Sequence, residues 1–161
     1  MVIPEILECN QLLKDKQLSL SLAESATAGH LSAALSLTPH VGDFLKGGIV
    51  CYDAKIKEQV LQVPHEMIER YTAESAEVTE AITIGVQKLI PADISIGITG
   101  LLKPGGSETP QKPVGTIFIC LFHKNALTNE RFYFKGNAEE IVQQTLSETG
   151  KQLCKFIHFK V

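Results

Sequence analysis

The 161-residue chain predicts an α/β fold, a three-layer α/β/α sandwich around a mixed, mainly parallel five-stranded sheet, folded as a single domain over residues 1–161. Three observations carry this. Strand-like and helix-like segments alternate through Thr99, the order that builds parallel β-α-β units. Two strand-like runs then follow one another with no helix between them, which reads as a hairpin. The composition, 44% hydrophobic and 20% charged, supplies one sizeable core and not two large domains.

Residues 3–16 begin the chain as a helix, with Ile6, Leu7, Leu12 and Leu13 on one broad apolar face. Residues 18–23 switch to apolar/small alternation, a strand. The small, polar stretch from Glu24 to Gly29 is a tight loop, and residues 30–37, rich in Ala and Leu, form a helix that Thr38-Pro39 stops. Residues 47–52 read as the second strand and 54–61 as a short helix ended by Val63-Pro64. A turn-rich stretch surrounds Tyr71. Ser75 then caps a helix over 76–89, with Val78, Ile82 and Leu89 facing inward and Pro91 beyond its end. Residues 94–99 are a buried strand and 100–113 a loop dense in Gly, Pro, Ser and Thr. Residues 115–122 and 131–134 are the hairpin strands. Asn137 and Glu140 match a capping box, starting a last helix toward Ile157.

Charge and residue spacing exclude several function classes. A net charge of -3, with 15 basic residues dispersed among 18 acidic ones, offers no footprint for nucleic acid. The longest apolar run, residues 116–122, is too short to span a membrane. The N-terminus lacks the basic and apolar regions of a secretion signal, so a cytoplasmic location is expected. Cys9, Cys51, Cys120 and Cys154 form no CxxC and are expected to be reduced; the five histidines show no HxxxH or HExxH spacing, and no metal site is expected.

Ligands of such sheets bind at the carboxyl ends of strands, which is where Glu24 to Gly29 and Gly100 to Gly106 fall. Ser25, between a strand and a helix, is either an N-cap or a nucleophile at a helix N-terminus. No GxSxG elbow is present and no histidine is placed as its base. A lysine kept neutral by burial can serve instead, and Lys55 and Lys57 are the candidates, with solvated helix lysines as the alternative. Tyr52 either orients the lysine or is a half-buried strand residue. Gly105 and Gly106 make either a phosphate cradle or a structural turn; GxxxxGK[ST] and GxGxxG are both absent.

Several motifs follow one another along the chain: residues 23–29 (AESATAG), 46–52 (KGGIVCY) with Lys57 five residues on, 60–64 (VLQVP), Ile98-Thr99-Gly100, Pro104-Gly105-Gly106 and 112–116 (KPVGT). In this order they resemble the CinA C-terminal domain family, which includes nicotinamide mononucleotide deamidases. The resemblance implies hydrolysis of the carboxamide of nicotinamide mononucleotide with no metal or organic cofactor. Ser25 becomes the nucleophile, Lys57 the general base and Tyr52 a third residue of the site. Glu24, Thr27, Ala28, Gly29, Thr99, Gly100, Gly105 and Gly106 become the substrate contacts, with N–H groups of residues 27–29 holding the oxyanion. It also implies a stand-alone form and a homodimer. The chain departs from the family at Ala28, where glycine is usual, at Lys103 before Pro104, and at Asn137-Ala138, where Asp-Arg is usual. Ala138 therefore lacks the arginine expected to meet a phosphate.

Overall fold

In the computed structural model, which describes residues 3–161, every predicted element is present and two short helices are added. In chain order the elements are α1 (Pro4–Asp15), β1 (Leu20–Glu24), α2 (His30–Ser36), α3 (Val41–Phe44), β2 (Leu45–Val50), α4 (Ala54–Gln59), α5 (His65–Tyr71), α6 (Ala76–Leu89), β3 (Ile94–Gly100), β4 (Thr116–His123), β5 (Ala126–Tyr133) and α7 (Ala138–Lys160). The strands form one sheet in the order β2-β1-β3-β4-β5. β1 pairs in parallel with both neighbours, whereas β3–β4 and β4–β5 are antiparallel. Strand direction is thus mainly parallel, β4 alone opposing the rest, while the pairings divide evenly between parallel and antiparallel.

Helices cover both faces. Leu20, Leu22, Ile94, Ile96, Ile98 and Ile117 join the large core beneath α1, α2 and α7. The opposite face packs Ala23 with Cys51, Leu61 and Val63 against Val78, Ile82 and Val86 of α6. Alternation along β1 and β3 decides this division, because successive side chains leave a strand on opposite sides. On the α6 side that alternation places Ser21, Ser95, Gly97 and Thr99, all small. Gly97 lets the helix approach: a Cβ there would lie 2.1 Å from Thr83 Oγ1 and 2.9 Å from the Thr79 carbonyl.

The capping expectations hold at both long helices. Ser75 accepts from Val78 N–H at the start of α6, and Asn137 and Glu140 form the reciprocal capping box of α7. α5, unforeseen in the sequence, has no buried residue, so it leaves no apolar stripe to read. β5 begins at Ala126, five residues earlier than expected, because an edge strand exposed to solvent tolerates the polar run Thr128-Asn129-Glu130.

The expectation of four reduced cysteines is corrected. Cys9 of α1 and Cys154 of α7 are joined by a disulfide, with Cα atoms 5.4 Å apart, while Cys51 and Cys120 are free and buried. Spacing could not show the pair, since 145 residues separate its members and only the packing of the two terminal helices side by side unites them. Among the described residues no helix is long and apolar enough to cross a membrane.

Candidate active site

β1 delivers Ser25 to the carboxyl end of the sheet. The Ser25 N–H still bonds to the Ile98 carbonyl of β3 at 2.9 Å, after which the chain turns: Ala28 N–H reaches Ser25 O at 3.2 Å and His30 N–H reaches Thr27 O at 2.9 Å. Ala28 (φ 46°) and Gly29 (φ 94°) are both left-handed here. Glycine is the usual residue in that region, and a methyl in its place costs roughly 1 kcal/mol. α2 starts only at His30, with Gly29 as its N-cap residue, so Ser25 does not begin a helix, contrary to the sequence expectation.

The free N–H groups of α2 belong to Glu24 instead. This buried carboxylate (1% exposed) accepts from Thr27 Oγ1, Gly29 N–H and Leu31 N–H on one oxygen, and from the N–H and hydroxyl of Ser32 on the other, at 2.6–3.1 Å. Glu24, expected to touch substrate, has its oxygens committed within the chain. The expected oxyanion donors change as well. Ala28 N–H and Gly29 N–H are occupied, and the N–H groups still without an acceptor among the described residues are those of Ala26 and Thr27.

Lys57 comes from α4, which Asp53 caps by accepting Lys55 N–H. Its side chain is fully buried and its Nζ lies 2.9 Å from Ser25 Oγ, 2.6 Å from Cys51 O and 3.3 Å from Tyr52 O. Burial lowers the Lys57 pKa below the ordinary lysine value, and negative charge at Glu74 and Asp53 opposes the shift. Negative charge on Cys51 would oppose it too, but burial pushes that thiol up to about 11, so it is neutral at physiological pH. A neutral amine has two N–H donors and one lone pair. Two carbonyls can take only the N–H groups, which leaves the lone pair for the Ser25 hydroxyl proton.

The other candidates are placed as follows. Tyr52 meets Lys57 through its backbone carbonyl, while its ring is 67% exposed and lines the cavity described below. Thr99 is fully buried and bonded to Thr79 Oγ1 at 2.8 Å, and Gly100 packs so closely on β4 that a Cβ would lie 2.4 Å from Ile117. Both support the strand and do not line the cavity. Gly105 and Gly106 do form an anion cradle, but their N–H groups hold the Glu108 carboxylate at 2.7 and 2.8 Å. Gly-Gly-x-Glu was the available signal for that internal ligand. Lys112 is tied to Thr72 Oγ1, the Glu74 carbonyl and Ser107 Oγ, pinning the 100–115 loop to the start of α6.

Comparison with known proteins identifies the family and the fold. The family model described as the CinA C-terminal domain matches residues 5–157. The chain belongs to the CinA C-terminal domain family. A CinA-like protein of Thermotoga neapolitana is 39% identical over 131 residues, 81% of this chain and 32% of that protein; one from Dictyoglomus thermophilum is 39% identical over 130 residues, 81% of this chain and 31% of that protein. The chain thus spans about a third of the length of the curated relatives it matches. The crystal structure of competence damage-inducible protein A from Klebsiella pneumoniae superposes with a TM-score of 0.93 at 27% identity, covering 98% of this chain and 97% of that one. A CinA superfamily protein from Escherichia coli gives 0.91 at 29% identity, covering 97% and 90%.

In this CinA domain a cavity of about 620 Å³ opens beside the Ser25 turn. Ala26, Ala28 and Tyr52 form its wall nearest Ser25 and Lys57, and Lys103, Ala138 and Val142 line it from the β3–β4 loop and α7. Position 138 therefore does face the cavity next to the serine. His30 also lines it, its Nδ1 held 2.6 Å from Thr27 O, an arrangement in which Nδ1 carries the proton and Nε2 is left for other contacts.

Proposed function

We propose that this CinA domain is a serine–lysine amidohydrolase that deamidates nicotinamide mononucleotide to nicotinic acid mononucleotide and ammonia. One observation carries the reading: a fully buried Lys57 with Nζ 2.9 Å from Ser25 Oγ and its remaining hydrogen-bonding capacity taken by carbonyls. Ser25 Oγ adds to the carboxamide carbon while its proton passes to Lys57 Nζ. The Ala26 and Thr27 N–H groups receive the negative oxygen. The C–N bond then breaks, the Lys57 ammonium protonates the departing nitrogen as ammonia, and an ester to Ser25 remains. Water, deprotonated by Lys57, cleaves that ester and returns the serine. The 620 Å³ cavity receives the rest of the substrate.

The test is ammonia release from nicotinamide mononucleotide. Ser25→Ala and Lys57→Met are each expected to remove it by a factor of roughly a thousand or more, with no change in quaternary state. Turnover near the unsubstituted rate in either variant rejects the dyad. Ala138 supports a second reading, an amidase for a substrate without phosphate, because the cavity wall carries a methyl group where the family resemblance calls for arginine. Faster turnover of the riboside than of the mononucleotide favours it.

A further inference from the structure

The mechanism leaves one buried ionisable side chain unused. Glu24 adjoins Ser25 in sequence and is 1% exposed, yet its carboxylate faces away from Lys57 chemistry and receives five hydrogen bonds from residues 27–32. It does at the start of α2 what a bound anion does elsewhere, filling the N-terminal N–H groups of a helix. Its main-chain carbonyl meanwhile accepts Cys51 N–H at 2.9 Å, next to the carbonyl that holds Lys57. One residue thus joins the serine turn, the first turn of α2 and the strand that positions the lysine.

We infer that Glu24 is the positioning residue of this site: its carboxylate locks the 25–29 turn so that Ser25 Oγ meets Lys57 and the Ala26 and Thr27 N–H groups stay uncommitted. The inference rests on the reading of Ser25 as nucleophile. The donors determine why a carboxylate is required. Oε2 faces two N–H groups and a hydroxyl, and Oε1 faces one N–H and a hydroxyl. Glutamine keeps the shape but must present an NH₂ at one of these positions. The smaller conflict lies at Oε1, where the Ser32 hydroxyl can rotate to accept and only the Ser32 N–H loses its acceptor. Glu24→Gln therefore loosens the turn without emptying the core. A donor displaced by a fraction of an ångström costs the transition state, which it meets at full charge, more than it costs substrate binding.

The experiment compares Glu24→Gln, Ser32→Ala and, as a control destabilised in the apolar core and not at the serine turn, Ile96→Ala. With nicotinamide mononucleotide, Glu24→Gln is expected to lower kcat by roughly tenfold or more with KM within about twofold, and Ser32→Ala by roughly threefold. The double variant is expected to be no worse than Glu24→Gln, since both act through one oxygen. Ile96→Ala is expected to keep kcat. In ¹H–¹⁵N spectra the Ala26, Thr27 and Ser32 amide resonances should move in Glu24→Gln and stay in place in Ile96→Ala. Unchanged kcat and unmoved Ala26 and Thr27 amides in Glu24→Gln overturn the inference, as does an equal loss of kcat in Ile96→Ala. If the unsubstituted protein releases no ammonia, the substrate reading fails while the amide resonances still decide whether Glu24 holds the turn.

Discussion

The two faces of the central sheet are built on different principles. Beneath α1, α2 and α7, β1 and β3 present Leu20, Leu22, Ile94, Ile96 and Ile98, and the contact is apolar volume. Beneath α6 the same strands present Ser21, Ala23, Ser95, Gly97 and Thr99, and much of the contact is hydroxyl chains: Ser21 to Ser95 at 2.9 Å, Ser95 on to Gln87, and Thr99 to Thr79 at 2.8 Å. The lysine half of the site lies toward the second face, for Cys51, whose carbonyl holds Lys57, belongs to the α6 cluster, whereas the cavity opens between α2 and α7. Apolar packing tolerates small shifts because dispersion is non-directional, whereas hydrogen-bonded layers fix a register. The first face carries the cavity and the Glu24 anchor of the serine turn; the second holds the lysine.

The largest expected effect is on the apolar side. The Cys9–Cys154 disulfide closes a loop of 145 residues between α1 and α7, for which chain entropy gives a stabilisation of up to about 5 kcal/mol. Reduction should therefore lower the melting temperature by roughly 10–20 °C. The protein should show two titratable thiols when denatured without reductant and four with it. Four thiols in both cases would mean that the helices are held by packing alone.

Neighbouring residues on opposite faces give the direct comparison. Ile96→Ala, in the large core, is expected to cost about 2–5 kcal/mol while leaving kcat unchanged. Gly97→Ala pushes a methyl against Thr83 and Thr79 of α6; it is expected to cost about 1–3 kcal/mol yet lower kcat, because α6 also packs on Leu61, which follows the lysine helix. Urea denaturation and steady-state kinetics on both variants decide this. Equal kinetic effects would show that the site is insulated from α6.

The same division explains what was legible in the residues. Regular periodicity marked α1, α6, α7 and the inner strands, and the resemblance singled out Ser25 and Lys57. Spacing left both undecided, because a capping serine and a nucleophilic serine occupy the same place between strand and helix. Glu24 was unreadable as an anchor, since its five donors come from a turn whose backbone path no pattern specifies. The carbonyls of Cys51 and Tyr52 carry no side-chain signature at all. The Gly105-Gly106 cradle was legible, but its occupant Glu108 was hidden by the assumption that an anion cradle awaits an external ligand.

Titration sharpens the comparison at Lys57. Burial lowers its pKa, so the neutral amine that the mechanism needs is populated below the ordinary lysine range. Activity is expected to rise with pH along a limb whose midpoint lies below 10.5, the value of a free lysine. The linkage has the same sign: the unfolded chain binds the extra proton, so the Lys57 contribution to stability is fully present above the unfolded pKa and declines as pH falls toward the folded one. Removing the opposing charge with Glu74→Gln should move the limb to lower pH. A limb that stays in place removes Glu74 from the electrostatics of the site.

The smallest effect isolates a single hydroxyl of the α6 face. Thr79 Oγ1 lies 2.6 Å from the Ser75 carbonyl, which can only accept, so Thr79 donates there and Thr99 must donate to Thr79. Thr99→Val then removes one hydrogen bond and strands nothing, at a cost of about 1 kcal/mol. Thr79→Val leaves the buried Thr99 hydroxyl without its acceptor, and the expected cost is larger, about 2 kcal/mol. The double variant removes donor and acceptor together and should be no less stable than Thr79→Val alone, although additive packing would predict a larger loss. Thermal denaturation of the three variants reads the order, with each kcal/mol worth roughly 2–4 °C. Equal losses in the two single variants would mean that the donor direction is reversed, and simple additivity would mean that this face, like the other, is held by volume and not by directed bonds.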